Sequence, residues 1–120
     1  MRRFIYNQNG EAYLYITGAG ALFNTLDTPV GLVYDEQVVG LQGSHLGWFD
    51  GELLWNVDGY LLGFVKGIRR EGLNVPKTRP LTFTPKPAPI SFRPLLLPRE
   101  KPPLFLTWSD TPLSPPPLTT

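Results

Sequence analysis

Leu46-Gly47-Trp48 is followed sixteen residues later by Leu62-Gly63-Phe64, and Val30-Gly31-Leu32 precedes it by the same interval. One period further upstream stands Leu14-Tyr15-Ile16, which is also apolar and aromatic. A repeat this short cannot bury its own apolar face, so the copies must pack on one another to form one core. The period therefore predicts four similar units.

Each unit is predicted to be a β-hairpin. Three units end their first strand on an apolar residue, an aromatic residue and Asn: Ile5-Tyr6-Asn7, Leu22-Phe23-Asn24 and Leu54-Trp55-Asn56. The remaining unit has Val39-Gly40-Leu41-Gln42 at this place. The returning strands are predicted at residues 12–16, 30–34, 46–49 and 61–65, and the links between hairpins at residues 18–20, 35–36, 50–51 and 66–67.

The hairpin turns differ in their chemistry. Asn9-Gly10 and Asp58-Gly59 predict two-residue primed turns, because Asn, Asp and Gly reach positive φ at low cost. Gly43-Ser44 is comparable. Asp27-Thr28-Pro29 is irregular, because proline fixes φ and forces the next strand to begin at or just after it.

The fold class predicted from this pattern is all-β, because no window has apolar residues at helical spacing over three turns. Eight short strands in an open sheet would leave two exposed edges, which proteins avoid by closing the sheet or by radial repetition. We therefore expect pseudo-fourfold symmetry, with the strand at residues 4–6 next to the strand at residues 61–65. Gly31, Gly47 and Gly63 are expected to omit a Cβ where another backbone or ring comes close.

The composition changes near residue 78, which predicts a β-hairpin repeat domain over residues 1–77 and a proline-rich tail over residues 78–120. Twelve of the fourteen prolines lie between Pro80 and Pro117, which excludes continuous strand pairing and favours extended or polyproline II backbone. The tail also contains many large apolar side chains, unlike most disordered segments. Three destinations stay open: packing on its own β core, docking on a neighbouring subunit or partner, or disorder.

Charge argues against a nucleic-acid binder. Residues 1–77 hold six Lys/Arg and eight Asp/Glu, a net charge of −2, and residues 78–120 hold five and two, a net charge of +3. Proteins that bind nucleic acid usually show a denser basic stripe, because phosphate neutralisation supplies most of their affinity. We expect nucleic-acid binding to be unlikely.

No cysteine is present, which excludes a disulfide, a thiolate nucleophile and a thiolate zinc ligand. The polar residues 7–11 interrupt any signal-peptide core, and the apolar run at residues 12–23 is too short to span a bilayer. We expect a soluble, cytoplasmic protein that does not bind a membrane.

The segment Gly43-Ser44-His45-Leu46-Gly47-Trp48-Phe49-Asp50-Gly51, followed by Asp58-Gly59-Tyr60-Leu61-Leu62-Gly63-Phe64, resembles the bacterial 4-fold beta flower proteins. The resemblance covers roughly residues 20–68 and implies a small β repeat fold, fourfold internal pseudosymmetry and a proline-rich C-terminal extension ending near a Trp. It carries over no catalytic residue. The residues expected to carry the motif structurally are Gly31, His45, Gly47, Trp48, Phe49, Gly51, Trp55, Asp58, Gly59, Gly63 and Phe64.

His45 is the only histidine and the natural candidate for acid–base chemistry, since its pKa lies near neutrality. A general base also needs a positioned partner and a pocket, and a lone histidine beside a turn is more often structural. Asp50, Glu52 and Asp58 offer paired carboxylates or a cation site, but aspartate at turns usually bonds the local backbone. The structural interpretation is favoured for these four residues.

Trp48, Trp55, Tyr34 and Tyr60 offer a stacking platform for single-stranded nucleic acid or sugar, but Trp48 and Trp55 are expected to be buried. Arg69, Arg70 and Lys77 form a small basic cluster that favours a solvated exit from the last strand over a phosphate site. P-loop, nucleophile-elbow and zinc motifs are not found in the sequence.

The sequence thus predicts a non-enzymatic structural or protein-interaction module with no cofactor. A protein partner or self-association through the tail is the expected kind of contact. Two alternatives stay open: a small-ligand or hydrolytic site centred on His45, and weak binding of single-stranded nucleic acid.

Overall fold

A computed structural model describes residues 3–87 and 100–109 of the 120-residue chain. Within these residues there are eight strands and no helix. The strands are β1 (Arg3–Tyr6), β2 (Ala12–Ile16), β3 (Ala21–Asn24), β4 (Pro29–Tyr34), β5 (Gln37–Gly40), β6 (His45–Phe49), β7 (Leu53–Asn56) and β8 (Leu61–Val65). The all-β class and the four hairpins are confirmed. The P-x-x-P match at residues 112–115 lies outside the described residues.

The eight strands form a closed antiparallel barrel in which each strand pairs with its neighbours in the chain. Ile5 of β1 pairs with Val65 of β8, and Tyr6 pairs with Phe64, so the first and last hairpins meet as expected. Closure leaves no unpaired edge. The antiparallel order also places all four hairpin turns at one end of the barrel, which we call the turn end, and the links between hairpins at the other, the link end.

Every hairpin contains a β-bulge at the same place. In the first, Ile5 pairs with Leu14 and Tyr6 pairs with Ala12, so Tyr13 is the extra residue. The extra residues of the other hairpins are Val30, Leu46 and Leu62. A bulge bends and twists its strand, and four repeated bulges suit the curvature of a small barrel.

The bulges correct the alignment of the first repeat. Leu14, Gly31, Gly47 and Gly63 each pair with the first strand of their own hairpin, opposite Ile5, Leu22, Val38 and Leu54. The true counterpart of Val30-Gly31-Leu32 is therefore Tyr13-Leu14-Tyr15, one residue earlier than the sequence period predicts. The cause is the first connection between hairpins: seven residues separate Leu14 from Leu22, whereas six separate Gly31 from Val38 and Gly47 from Leu54.

The third repeat also shifts. Strand β5 ends at Gly40 and the Gly43 N–H donates to the Gly40 carbonyl, so Val38-Val39-Gly40 takes the place of the apolar–aromatic–Asn ending. The assignment to Val39-Gly40-Leu41-Gln42 was wrong by one residue. Gly40 therefore stands where the other repeats have Asn.

The predicted primed turns at Asn9-Gly10 and Asp58-Gly59 are wrong. Gly10 and Gly59 alone take positive φ, of 80° and 92°, and each donates its N–H three residues back, to Asn7 and Asn56. This is the three-residue loop in which a glycine follows an ordinary turn. A two-residue turn with both φ values positive occurs instead at the link Asp35–Glu36, with φ of 51° and 66°.

Apolar side chains are buried on both faces of the barrel wall. The inner cluster consists of Ile5, Leu14, Ile16, Leu22, Val30, Val38, Phe49, Leu54 and Leu62. A Cβ at Gly31 or Gly47 would overlap a carbonyl oxygen of the next hairpin, Val39 O or Trp55 O, so the close backbone approach predicted at these glycines is confirmed. At Gly63 the nearest atom is Cγ2 of Ile5, but the Tyr6 carbonyl oxygen at 3.1 Å and the Tyr13 ring at 3.5 Å are also close, so the prediction is confirmed there too.

The outer face carries two further clusters. One gathers buried Tyr6, Trp48, Leu53, Trp55, Leu61, Phe64 and Ile68, and the other gathers Tyr15, Ala21 and Phe23. Both include partly buried residues that follow β8, among them Leu104, Leu106 and Trp108 in the first and Phe83 in the second. The strands are therefore covered on their outer face by the part of the chain that comes after them.

Candidate functional site

The turn of the first hairpin holds residues 76–79 of the same chain. The Arg79 N–H donates to the Gly10 carbonyl at 2.8 Å. The Lys77 carbonyl lies against Gly10 at the position a Cβ would occupy, so only glycine fits there. Gly10 is buried by this contact, although it stands at the tip of a hairpin.

The turn of the fourth hairpin holds residues 102–105 in the same way. The Phe105 N–H donates to the Gly59 carbonyl at 2.8 Å, and the Pro103 carbonyl occupies the Cβ position of Gly59. In both places a proline, Pro76 or Pro102, precedes the residue whose carbonyl faces the glycine. Two separate segments thus dock on quasi-equivalent turns with one hydrogen-bond geometry, which we call the glycine clamp.

Asparagine side chains shape the turns that form the clamp. Asn7 Oδ1 accepts the Asn9 N–H at 2.9 Å and the Glu11 N–H at 3.0 Å. Asn56 Oδ1 accepts the N–H groups of Asp58 and Tyr60, both at 2.9 Å. These bonds stabilise the loop conformation in which the glycine carbonyl accepts from the docked segment.

The second turn has the same asparagine but a different acceptor. Asn24 Oδ1 accepts the N–H groups of Leu26 and Thr28, and Asp27 stands in the glycine position with φ of 62°. The Asp27 carboxylate accepts the Lys86 backbone N–H at 2.9 Å and the Tyr15 hydroxyl. At the second turn a side-chain oxygen of Asp27 thus accepts the hydrogen bond from the docked segment, whereas at Gly10 and Gly59 the backbone carbonyl accepts it.

After the fourth turn the docked segment continues along β8. The Leu61 N–H donates to the Thr107 carbonyl and the Ser109 N–H donates to the Leu61 carbonyl, both at 2.8 Å. Side chains alternate over residues 101–108, with Leu104, Leu106 and Trp108 partly buried and their neighbours exposed. This is the alternation of a strand packed on one face.

Aromatic contacts add to these backbone bonds. The Trp55 indole N–H donates to the Phe105 carbonyl at 2.9 Å. The Trp108 ring meets Phe64 edge-on at 6.2 Å, and the Phe83 ring lies 5.9 Å from Phe4. The segments that follow β8 are held by both their backbone and their apolar side chains.

The third turn is less covered than the first and the fourth. Gly43 has φ of 91°, but no described residue lies within 4 Å of the position its Cβ would take. Gly43 is half-exposed, whereas Gly10 and Gly59 are buried. Gly40 replaces the clamp asparagine, and a Cβ there would come within 2.9 Å of the Ser44 hydroxyl.

His45 lies at the opposite end of the barrel from Asp50 and Glu52, two of the three acidic residues considered for acid–base chemistry. It begins β6 at the turn end, where its ring meets Trp48 edge-on at 4.8 Å. Asp50 and Glu52 lie at the link end, after the far end of the same strand, about 16 Å away at the usual rise per residue. Asp58 lies in the fourth turn. The hydrolytic alternative centred on His45 stays a sequence prediction.

Asp50 and Glu52 both bind Arg70. The Arg70 guanidinium lies 2.7 Å from an oxygen of each carboxylate. Burial alone would raise the pKa of Asp50, but backbone N–H groups of Leu53 and Glu52 and the Arg70 guanidinium outweigh it and lower that pKa. The same two carboxylates raise the pKa of Arg70. This ion pair ties the chain after β8 to the link between β6 and β7.

The predicted aromatic platform is divided between core and surface. Trp48 and Trp55 are 4% and 3% exposed, which confirms their predicted burial. Tyr34 and Tyr60 are exposed, and Tyr60 stacks on Phe105 at 5.2 Å. The basic residues also separate: Arg70 lies at the link end, and Lys77 at the first turn.

Two further observations bear on small ligands. A cavity of about 360 Å³ at the link end is lined by Arg3, Ile16, Thr17, Val33, Phe49 and three glycines, without His45 or a carboxylate. The Arg3 guanidinium donates to the Gly51 carbonyl at 2.6 Å and lies over the Phe49 ring. No group of three or more metal-ligating His, Cys, Asp or Glu side chains exists among the described residues.

The sequence pattern does not predict the glycine clamp. Its asparagines mark strand endings, but an asparagine that bonds residues two and four positions ahead is also a recognisable turn signal. The docking of Pro76 and Pro102 carries no such local signal, because it depends on contacts more than 40 residues apart in sequence.

A family model described as 4-fold beta flower protein matches residues 3–115. The chain belongs to this family. The match covers the docked segments as well as the barrel of this 4-fold beta flower protein. Neither the curated proteins nor the solved structures searched contain a match to the chain. In the described ranges, no helix has the length and apolar character needed to cross a membrane.

Proposed function

We propose that this 4-fold beta flower protein is a non-enzymatic structural and protein-interaction module that holds extended, proline-containing segments at the turn end of its barrel. One observation carries the proposal: residues 76–79 and 102–105 dock on Gly10 and Gly59 with the same pair of backbone contacts. Their side chains differ, so the turns recognise a backbone shape.

The physical chemistry of proline supports this role. Proline restricts the free segment to extended conformations, so less conformational entropy is lost on docking. The clamp needs one N–H donor, and Arg79 and Phe105 supply it as the third residue after the proline. The minimal recognised segment is therefore a proline, two residues of any type and a residue other than proline.

The test uses a chain truncated after residue 99, which lacks the segment docked on Gly59, and a synthetic peptide of residues 100–109. We expect saturable binding by calorimetry. We also expect a higher midpoint of thermal unfolding in the presence of peptide, because a ligand that binds only the folded state stabilises it by mass action. The second readout works even where the truncated chain is only marginally stable.

Two controls make the test specific. A peptide carrying Phe105→Pro keeps the apolar side chains Leu104, Leu106 and Trp108 but removes the N–H that the Gly59 carbonyl accepts. Gly59→Ala in the truncated chain fills the space of the Pro103 carbonyl. Each change should weaken binding at least about tenfold, the equivalent of one hydrogen bond. Equal binding with either change would contradict the glycine clamp.

A further inference from the structure

The first hairpin turn contains the asparagine of this chain that is most open to attack by its own backbone. Asn9 alone among the asparagines of the sequence is followed by glycine; the others precede Gln8, Thr25, Val57 and Val75. The side-chain amide of an asparagine is attacked by the backbone nitrogen of the next residue, and a Cβ on that residue hinders the approach. Glycine has no Cβ and turns its backbone most freely. Asn9 is therefore expected to react before the other asparagines.

The reaction is a deamidation that needs water as its only co-reactant. The Gly10 nitrogen loses its proton to solvent and attacks Cγ of Asn9, and the side-chain nitrogen of Asn9 takes up a proton and leaves as ammonia. Water then opens the cyclic imide at one of its two carbonyl groups. Opening at the side-chain carbonyl gives aspartate, and opening at the main-chain carbonyl gives isoaspartate. Asn9 is exposed, so water reaches it.

The folded turn holds the Asn9–Gly10 peptide group away from the geometry of ring closure. The Gly10 N–H donates to the Asn7 carbonyl at 3.0 Å and only Gly10 has positive φ, so the turn is of type I. In this type ψ of Asn9 is about 0°, where the Gly10 nitrogen eclipses the Asn9 nitrogen and not the Asn9 Cβ. Ring closure therefore requires rotation about the Cα–C bond of Asn9.

That rotation breaks two hydrogen bonds at once. The Asn9 carbonyl accepts from Arg79 Nε at 3.3 Å, and the Gly10 N–H is bound to Asn7. Because a peptide group is planar, its oxygen and its nitrogen must turn together. Reaction thus requires that one contact with the docked segment and one contact within the turn are both lost.

The glycine clamp holds the same peptide group from the other side. The Arg79 N–H donates to the Gly10 carbonyl at 2.8 Å, and the Lys77 carbonyl lies against Gly10. Gly10 is buried by these contacts. Rotation of the Asn9–Gly10 peptide group therefore also displaces residues 76–79 from the turn.

We propose that Asn9 is a deamidation site that the first glycine clamp protects, so that the reaction takes place in chains whose residues 76–79 have left the turn. This assignment does not depend on the proposed function, because it uses only the contacts of the first turn. In isoaspartate the backbone runs through the side-chain carbon, which adds one atom before Gly10. The Gly10 carbonyl then no longer faces the Arg79 N–H, so the modification makes release of the first docked segment permanent.

Two other turn asparagines provide a comparison within the chain. Asn24 and Asn56 lie in the second and fourth hairpin turns, but each precedes a β-branched residue, Thr25 or Val57. Branching at Cβ crowds the nitrogen that would have to attack. Asn24 and Asn56 should therefore remain asparagine under conditions in which Asn9 reacts.

The experiment measures the conversion of Asn9 in the full-length chain, kept in warm and mildly alkaline buffer that favours loss of the Gly10 amide proton. Chromatography and mass spectrometry of proteolytic peptides separate asparagine, aspartate and isoaspartate at residue 9. A synthetic peptide of residues 4–15 gives the rate without the fold. We expect Asn9 to convert at least about tenfold more slowly in the folded chain than in the peptide, because only the open fraction of the turn reacts.

Matched variants test whether the clamp provides the protection. Arg79→Pro removes both the N–H that Gly10 accepts and the guanidinium that Asn9 accepts, and should raise the rate at least about tenfold. Arg79→Ala keeps the backbone N–H, so its rate should lie between those of the parent chain and Arg79→Pro. Phe105→Pro makes the same change at the fourth turn and should leave the rate at Asn9 within about twofold.

The product tests whether release is permanent. The isoaspartate form is separated from the parent chain by chromatography, and hydrogen exchange of the Arg79 amide is compared in the two. We expect exchange at least about tenfold faster in the isoaspartate form, because its Gly10 carbonyl no longer accepts from this amide. Equal exchange would show that the modified turn still holds the docked segment.

Three outcomes would overturn the assignment of Asn9. The first is conversion of Asn9 in the parent chain as fast as in the peptide. The second is a rate that Arg79→Pro leaves unchanged. The third is equal acceleration by Phe105→Pro and Arg79→Pro, which would assign the effect to a general loss of stability. Binding of the peptide to the turn at Gly59 is measured separately, so the proposed function stands or fails independently of these rates.

Discussion

The inner and outer faces of the barrel wall are filled from different sources. The inner cluster, which includes Leu14, Leu22 and Leu54, is built from side chains of the eight strands. The outer clusters combine strand residues such as Tyr15 and Phe64 with Phe83, Leu106 and Trp108 from the tail. The barrel is therefore complete inside, whereas its outer layer depends on the chain that follows it.

The largest expected effect comes from removing that outer layer. Deletion of residues 78–120 exposes several large side chains, each of which contributes about 1.5–3 kcal/mol when buried. We expect a loss of at least about 4 kcal/mol in the free energy of unfolding, with binding of hydrophobic dyes and aggregation. Denaturant unfolding measures the loss of stability, and light scattering measures aggregation. A truncated chain as stable and as soluble as the full chain would show that the outer layer is dispensable.

A pair of leucines compares the two faces directly. Leu54 is 1% exposed inside the barrel and Leu104 is half-buried outside it. Leu54→Ala should cost about 3 kcal/mol, because it leaves a cavity in a closed core, and Leu104→Ala about 1 kcal/mol. Urea unfolding of both variants measures the two losses in the free energy of unfolding and so their ratio. Equal losses would mean that the two faces are packed equally well.

The glycine clamp predicts a smaller difference between two glycines. Gly59→Ala and Gly67→Ala both place alanine at positive φ, at 92° and 88°, but only the first also displaces the Pro103 carbonyl. Strain alone should cost about 1 kcal/mol, and loss of the clamp about 1 kcal/mol more. Thermal unfolding of the two variants measures this excess, and its absence would mean that the clamp adds nothing to stability.

The smallest effect concerns the ion pair at the link end. The pKa of Asp50 is lowered from its ordinary value of 3.8 in the folded chain, so its stabilising effect is present above pH 3.8 and is lost as the pH falls below that value. The stability difference between the parent chain and Asp50→Asn should therefore shrink from pH 6 toward pH 2. A difference that stays constant over this range would show that the carboxylate charge has no part in it.

The sequence anticipated the inner face better than the outer one. The period and the glycines at 31, 47 and 63 indicate where the hairpins approach one another, and these predictions are confirmed. The period aligned the first repeat one residue too late. Counting residues does not show whether an extra residue lies in a bulge within the hairpin or in the link that follows it. Strand β7, in which the consecutive residues Leu53, Leu54 and Trp55 are all buried, has no alternation of apolar and polar residues to show that a second face is covered.

The candidate site was harder to foresee than the fold. Asn7 and Asn56 were visible as repeated residues, but their pairing with Pro76 and Pro102 depends on contacts across most of the chain. His45, the residue that motif reasoning favours for chemistry, lies beside Trp48 and away from Asp50. Side-chain type alone does not reveal a recognition surface made of backbone.

Native-state hydrogen exchange tests most directly whether the tail is part of the outer layer. The amides of Arg79, Phe105 and Ser109 donate to Gly10, Gly59 and Leu61 of the barrel. We predict that these amides are protected to within about tenfold of the Val65 amide in β8, which donates to the Glu52 carbonyl of the barrel. Exchange of all three at the rate of an unstructured peptide, with Val65 still protected, would contradict this account of the fold.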